Sequence, residues 1–324
     1  MMMMSAPASL LLSALLGLSA AAPPTMGPWP TEYKSYAVPA LDSTDPSVWL
    51  VYPVCNVSSC PTFPLISYAH GFFGGDIDLL GYGNHFAQIA SYGFVVIAPD
   101  SCDVGCTSPT QGAPWTDCAA PLPPLQPALW PPWFGEQIKA IDWARNMSAG
   151  GSSDPVFATI DWAAGVGVAG HSMGGQATSM SASAACAARW NITAAVLVHP
   201  EIGTLPWGNT GSNISIPTAT FTSSGDHTCT PATAEATMRA FNASAQGKTL
   251  PSAYRNVQGW SHLEPVLGAV FENPLLSTYT AAWFKIMLNK DAGLYRELIY
   301  GGGPDSVCHS EPMVSCYAVN EPAQ

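Results

Sequence analysis

The chain has 324 residues, 48% of them apolar and only 10% charged, with a net charge of −12. That supplies core enough for one α/β domain and excludes wholesale disorder. Ten Lys and Arg against 22 Asp and Glu leave no basic stripe for a phosphate backbone, which excludes nucleic acid as a partner class and disfavours anionic membrane surfaces.

The N-terminal segment ends in Leu10-Leu11-Leu12-Ser13-Ala14-Leu15-Leu16-Gly17-Leu18 followed by small residues to Ala22. So short an apolar stretch does not span a bilayer, and its small-residue end suits signal peptidase. Residues 1–22 therefore read as a secretory signal peptide, cleaved between Ala20 and Ala22, with 23–324 as a single domain. The absence of Lys and Arg ahead of the apolar run leaves an uncleaved anchor or an organelle-targeting prefix as the alternative. Five sequons, at Asn56, Asn146, Asn191, Asn213 and Asn242, exceed the roughly two that composition supplies by chance and point to a glycoprotein of the secretory route. Nine cysteines fit the same oxidising compartment and leave one thiol over. Cys55 with Cys60 and Cys308 with Cys316 make short local loops, while Cys102, Cys106, Cys118, Cys186 and Cys229 compete for two further bridges. A zinc site is disfavoured, since the chain has no Cys-x-x-Cys pair.

From Val48 onward, β-prone apolar runs alternate with helical stretches, as in a mainly parallel sheet with helices on both faces. Strands are predicted at Val48–Val54, Leu65–Ala69, Phe94–Ala98, Val166–Ala169, Ala194–Val198, Thr218–Thr222 and Ala253–Val257. Pro53 inside the first confines it to a sheet edge. Helices are predicted at Tyr82–Tyr92, Phe134–Met147, Met173–Ala188, Pro231–Ala245 and Tyr279–Asn289. Between them, residues 101–133 hold eight prolines, three cysteines and Trp115, Trp130 and Trp133. A flexible linker is polar and free of Cys, so this stretch reads as a disulfide-pinned insertion packed over the sheet edge. The tail from 301 to 324 also bears cysteines.

Gly170-His171-Ser172-Met173-Gly174 matches G-x-S-x-G, directly after the apolar run Val166–Ala169 and before a helical stretch. The context makes the motif a nucleophile elbow: small residues permit the tight strand-to-helix turn that exposes the Ser172 hydroxyl. A serine needs a base and the base an orienting acid. His262, after the last predicted strand, fits the Ser, acid, His order, with His70, His85, His171, His199, His227 and His309 as competitors. Asp226 follows the strand Thr218–Thr222, at the edge where catalytic groups collect, and Glu201 is the runner-up acid. The oxyanion of the tetrahedral intermediate needs two backbone donors. The N–H of Met173 and an N–H from His70-Gly71-Phe72-Phe73-Gly74-Gly75, assigned to Phe72, fill those places.

With the elbow, His70-Gly71-Phe72, the segment Ser91–Asp100, Asp226 with Pro231 after it, and Ser261-His262, the chain resembles the α/β-hydrolase branch of cutinases, polyester hydrolases and chlorophyllases. The likeness spans about Val48 to Asn289. It implies an α/β-hydrolase fold and ester hydrolysis through an acyl-enzyme, with Ser172, Asp226 and His262 as triad and Phe72 and Met173 as oxyanion donors. Trp207 resembles an aromatic residue lining the acyl pocket of polyester hydrolases. The long insertion after Asp100, the Cys-bearing tail and Met173 where chlorophyllases often carry Arg are departures. The expected protein is a secreted serine carboxylic-ester hydrolase needing neither cofactor nor metal, acting on a small-molecule or polymeric ester, with no stable membrane insertion after signal cleavage. A lipase or phospholipid esterase on the same fold, or a catalytically silent binding protein, are the alternatives.

Overall fold

The computed structural model describes residues 26–38, 47–55, 60–71, 81–100, 132–201, 210–266, 273–291 and 293–322. The signal peptide, the Asn56 sequon, Phe72, Trp207, Cys102, Cys106, Cys118 and nearly all of the 101–133 insertion lie outside them.

Nine strands form one sheet: β1 (Thr31–Ala37), β2 (Ser47–Pro53), β3 (Leu65–Ala69), β4 (Val95–Pro99), β5 (Val166–His171), β6 (Ile192–Val198), β7 (Thr218–Ser223), β8 (Ser252–Val257) and β9 (Met313–Val319). Their order is β1-β2-β4-β3-β5-β6-β7-β8-β9. β3 to β8 run parallel, while β1, β2 and β9 add antiparallel pairings at the two sides. The sheet thus buries a parallel centre, and its central strands read as near-continuous apolar runs for that reason. Side chains leave alternate faces: Leu65 and Val95 enter one core cluster, Ile66 and Val96 the other.

α1 (Gly83–Ser91) and α6 (Pro274–Met287) cover one face through Phe86, Ile89, Trp283 and Phe284. α2 (Pro132–Asn146), α3 (Met173–Ser181), α4 (Ala184–Trp190) and α5 (Pro231–Ala243) cover the other through Ile138, Ile141, Met180, Cys186, Met238 and Phe241. α7 (Gly293–Tyr300) closes against α6. This is the α/β-hydrolase fold. Among the described residues, no helix is long and apolar enough to cross a membrane.

Two expectations need correction. β2 is not an edge strand, because β1 pairs with its outer side over the whole register Thr31–Pro53 to Ala37–Ser47. Pro53 is tolerated because it ends the strand, and the inner ladder to β4 stops at Val51. The helix expected over Met173–Ala188 is two, parted at Ala182 and Ser183. The chain turns there so that Ser183 bridges to Ile214.

Cys55–Cys60 and Cys308–Cys316 are disulfides, as the spacing suggests. Cys186 is also disulfide-bonded, and Cys229 is free and buried.

Candidate active site

Ser172 sits between β5 and α3 with φ 58° and ψ −120°. For a residue with a Cβ this is a sparsely populated conformation costing about 1–3 kcal/mol, sustained only where the surroundings over-determine it. They do so here. The Ser172 N–H donates to Val198 O at 3.0 Å, and its carbonyl accepts from Gln176 at 3.2 Å and from Glu201 at 3.0 Å. A Cβ on Gly174 would strike the carbonyls of Ala69 and His70, and one on Gly170 the carbonyl of Gly174. The two flanking glycines of the motif are thus required by close backbone approach. The N–H of Met173, the first residue of α3, has no acceptor within its own helix and lies at the positive end of the helix dipole.

Three side chains from three loops at the C-terminal edge of the parallel strands converge. His262 Nε2 is 2.9 Å from Ser172 Oγ, and His262 Nδ1 is 2.8 Å from Asp226 Oδ2. Because the carboxylate can only accept, Nδ1 carries the hydrogen, and the Nε2 lone pair faces the serine hydroxyl. The other oxygen of Asp226 accepts from the backbone N–H groups of Thr228 at 2.9 Å and Cys229 at 2.8 Å. Burial works against ionisation of Asp226, but the hydrogen bonds from His199 and His262 outweigh it and hold the carboxyl far below the usual carboxylate range.

The backbone of His262 is held as well. Its carbonyl oxygen is 2.8 Å from His171 Nε2. Burial keeps His171 well below the ordinary histidine value, so the ring is neutral and Nε2 is its N–H. Its Nδ1 then accepts from the Tyr82 hydroxyl at 2.7 Å, and that oxygen accepts from the Gly71 N–H at 2.8 Å. One continuous chain of hydrogen bonds ties the His70-Gly71 loop to the elbow and to the turn bearing His262.

Glu201, the runner-up acid, does not serve His262. Its Oε2 accepts from the Cys229 thiol at 2.8 Å. That thiol lies 3.8 Å from Ser172 Oγ and 3.9 Å from His262 Nε2. Burial, reinforced by Glu201, pushes it far above the ordinary thiol range, so it stays protonated and does not compete as a nucleophile.

Of the competing histidines, His70 and His85 are buried and held neutral by desolvation, pushed down to about 4 and about 3. His199 is different. It touches Asp226 at 2.9 Å and Glu264 at 2.8 Å, and Glu264 meets Arg255 at 2.9 Å. His199, Asp226 and His262 bring ligand-type atoms within 4.8 Å of one another. Both rings, however, address the same Asp226 oxygen at hydrogen-bond distance, so that oxygen accepts from two imidazole N–H groups at once. The only sequence signal for His199 is its place at the C-terminal end of an apolar run.

A family model described as PET hydrolase-like matches residues 130–315, a span from α2 into β9 that holds Ser172, His199, Asp226 and His262. No curated protein matches the chain. The matched span is more than half of the sequence and contains the elbow together with the loops that bear Asp226 and His262, and on that match the chain belongs to the PET hydrolase-like family of ester hydrolases.

Proposed function

We propose that the protein is a secreted serine carboxylic-ester hydrolase that works through an acyl-enzyme. The observation that carries this reading is the unbroken line from Ser172 Oγ through His262 to Asp226, with both links at 2.9 Å or less. His262 takes the hydroxyl proton as Ser172 attacks the ester carbonyl, and Asp226 steadies the imidazolium that forms. The developing oxyanion is met by the Met173 N–H at the head of α3 and by a second N–H assigned to Phe72. His262 then hands its proton to the leaving alcohol. Water, activated by the same ring, releases the acid and restores Ser172.

Secretion is supported by disulfides of the kind that persist in oxidising compartments. Asn146, Asn191 and Asn213 stand exposed in their sequons. Asn242 is half-buried, with its amide nitrogen donating to Tyr317 and its oxygen accepting from Ser252, so glycans belong on the first three. Substrates are small or polymeric esters, with Trp207 assigned to the acyl pocket.

The test is hydrolysis of a short-to-long p-nitrophenyl ester series by the wild type and Ser172→Ala. Removing the nucleophile should lower kcat by at least about 10³-fold. Equal activity in the two proteins would move the nucleophile elsewhere, and no activity in either would favour a binding role.

A further inference from the structure

The triad occupies one side of Asp226, and the other side is occupied by His199. The His199 ring is completely buried, with Nδ1 2.9 Å from Asp226 Oδ2 and Nε2 2.8 Å from Glu264 Oε2. A neutral imidazole has a single N–H and cannot donate to two carboxylates, so with both ionised the ring must carry two hydrogens. Glu264 is kept ionised: burial opposes its charge, but Arg255 and His199 outweigh that and hold it below the usual range. It also accepts from Asn273 at 2.8 Å. Arg255 in turn meets Glu311 at 2.6 Å. Buried charges therefore alternate in sign from Arg255 through Glu264 and His199 to Asp226, the arrangement in which burial of ions is tolerable. The backbone of His199 adopts φ 43°, a left-handed conformation that few non-glycine residues adopt.

We propose that His199 is a protonated positioning residue, clamped between Asp226 and Glu264, whose charge limits the negative charge that Asp226 offers to His262 through the oxygen the two rings share. This rests on the triad reading above. Both rings share Asp226 Oδ2, so charge that the carboxylate commits to a fixed cation on one side is withheld from the imidazolium forming on the other. Among the described residues, the titratable groups facing His199 are Asp226, Glu264, His262 and His171. The first two favour its cation. Burial works against that cation, yet the two carboxylates outweigh burial and raise His199 above the ordinary histidine value. His171 is neutral and adds no opposing charge. The His199 and His262 ring centroids are 5.8 Å apart. At an effective dielectric constant of about 20, a unit charge at that range moves a titration by up to about two pH units.

The test is the pH profile of kcat/KM on a p-nitrophenyl ester for the wild type and His199→Asn. Asn tolerates the left-handed backbone and keeps an amide N–H available to Asp226 while removing the charge. Removing a neighbouring cation makes His262 easier to protonate, so the acidic limb should move to higher pH by about one to two units. A folded variant with an unmoved limb overturns the proposal. Proton–nitrogen correlation spectra of the wild-type imidazoles give an independent reading that needs no variant. At about pH 8 one ring should still carry hydrogens on both nitrogens, whereas ordinary histidines are neutral there. No such ring would overturn the proposal. A wild type that neither turns over esters nor takes a fluorophosphonate label defeats the esterase reading instead, and the spectra still report the charge of His199.

Discussion

Tyr82 is a residue whose single hydroxyl serves both halves of the candidate site. It accepts from Gly71 and donates to His171, which donates in turn to the carbonyl of His262. Tyr82→Phe keeps the ring stacked on Phe86 but leaves a buried N–H on Gly71 and a buried lone pair on His171 unmatched. Each orphaned group costs about 1–3 kcal/mol. A urea titration should therefore show a loss of that order. Ester turnover should fall about tenfold, through loosened positioning of the His262 turn and of the loop after His70. Unchanged stability and kcat would show that the hydroxyl is dispensable. Nothing in the sequence announces this role, because Tyr82 and His171 are 89 positions apart and a tyrosine ahead of an amphipathic helix looks like a packing residue. Ser172, Asp226 and His262 are legible because each follows its own strand at a short interval and the elbow motif is local. His199 also follows directly on a strand, but its meaning depends on Glu264, 65 positions later, and on Arg255, which pairs with Glu264.

The same division between local and distant information governs the elements. β3 to β8 are readable because burial on both faces demands unbroken apolar runs. β1 and β9 are not legible in the sequence: β1 carries Glu32 and Lys34 and is largely solvated, and β9 lies in the tail, where its own Cys316 is tied back to Cys308. Edge strands with one solvated side lack the continuous run, and their pairing with β2 and β8 is settled by the partner's free edge. The β5–α3 junction is the opposite case, since the motif itself dictates the turn. Gly174→Ala tests how tightly it does so. The added methyl meets backbone carbonyls of Ala69 and His70, which cannot rotate aside as a flexible side chain can. Relief requires α3 to move away from β3, carrying the Met173 N–H and the Ser172 hydroxyl with it. We expect a stability loss of about 1–3 kcal/mol and a fall in kcat of about 10²-fold or more, because small displacements of a nucleophile are costly. An alanine variant with wild-type kinetics would mean that the elbow has slack.

At the scale of the whole molecule, buried histidines set the acid side of stability. In the unfolded chain His70 and His85 take up protons as the pH falls through about 6.5. In the fold, burial delays this to about 4 and about 3. His85 illustrates the cause: Nδ1 has Ser277 at 2.6 Å, but Nε2 has no hydrogen-bond partner among the described residues, and Tyr68 and Phe86 pack against the ring. Between those limits the unfolded state binds more protons, so stability falls as pH falls, by about 1.4 kcal/mol per pH unit for each group. The depressed carboxyls of Asp226 and Glu264 contribute stability that is full above their unfolded values and lost only further down, below about pH 4. His199 has the opposite sign. Its raised value gives stabilisation that is complete below about 6.5 and lost as pH rises through the folded value. Urea unfolding midpoints should therefore decline from about pH 6.5 downward, well before carboxylates titrate. By about pH 5 the combined cost from His70 and His85 should reach about 4 kcal/mol. His85→Gln, which cannot take up the proton in either state, should flatten that slope by one group's share. A midpoint that stays level between about pH 7 and 5 would mean that these rings reach water in the fold and that the core around α1 is looser than its packing indicates.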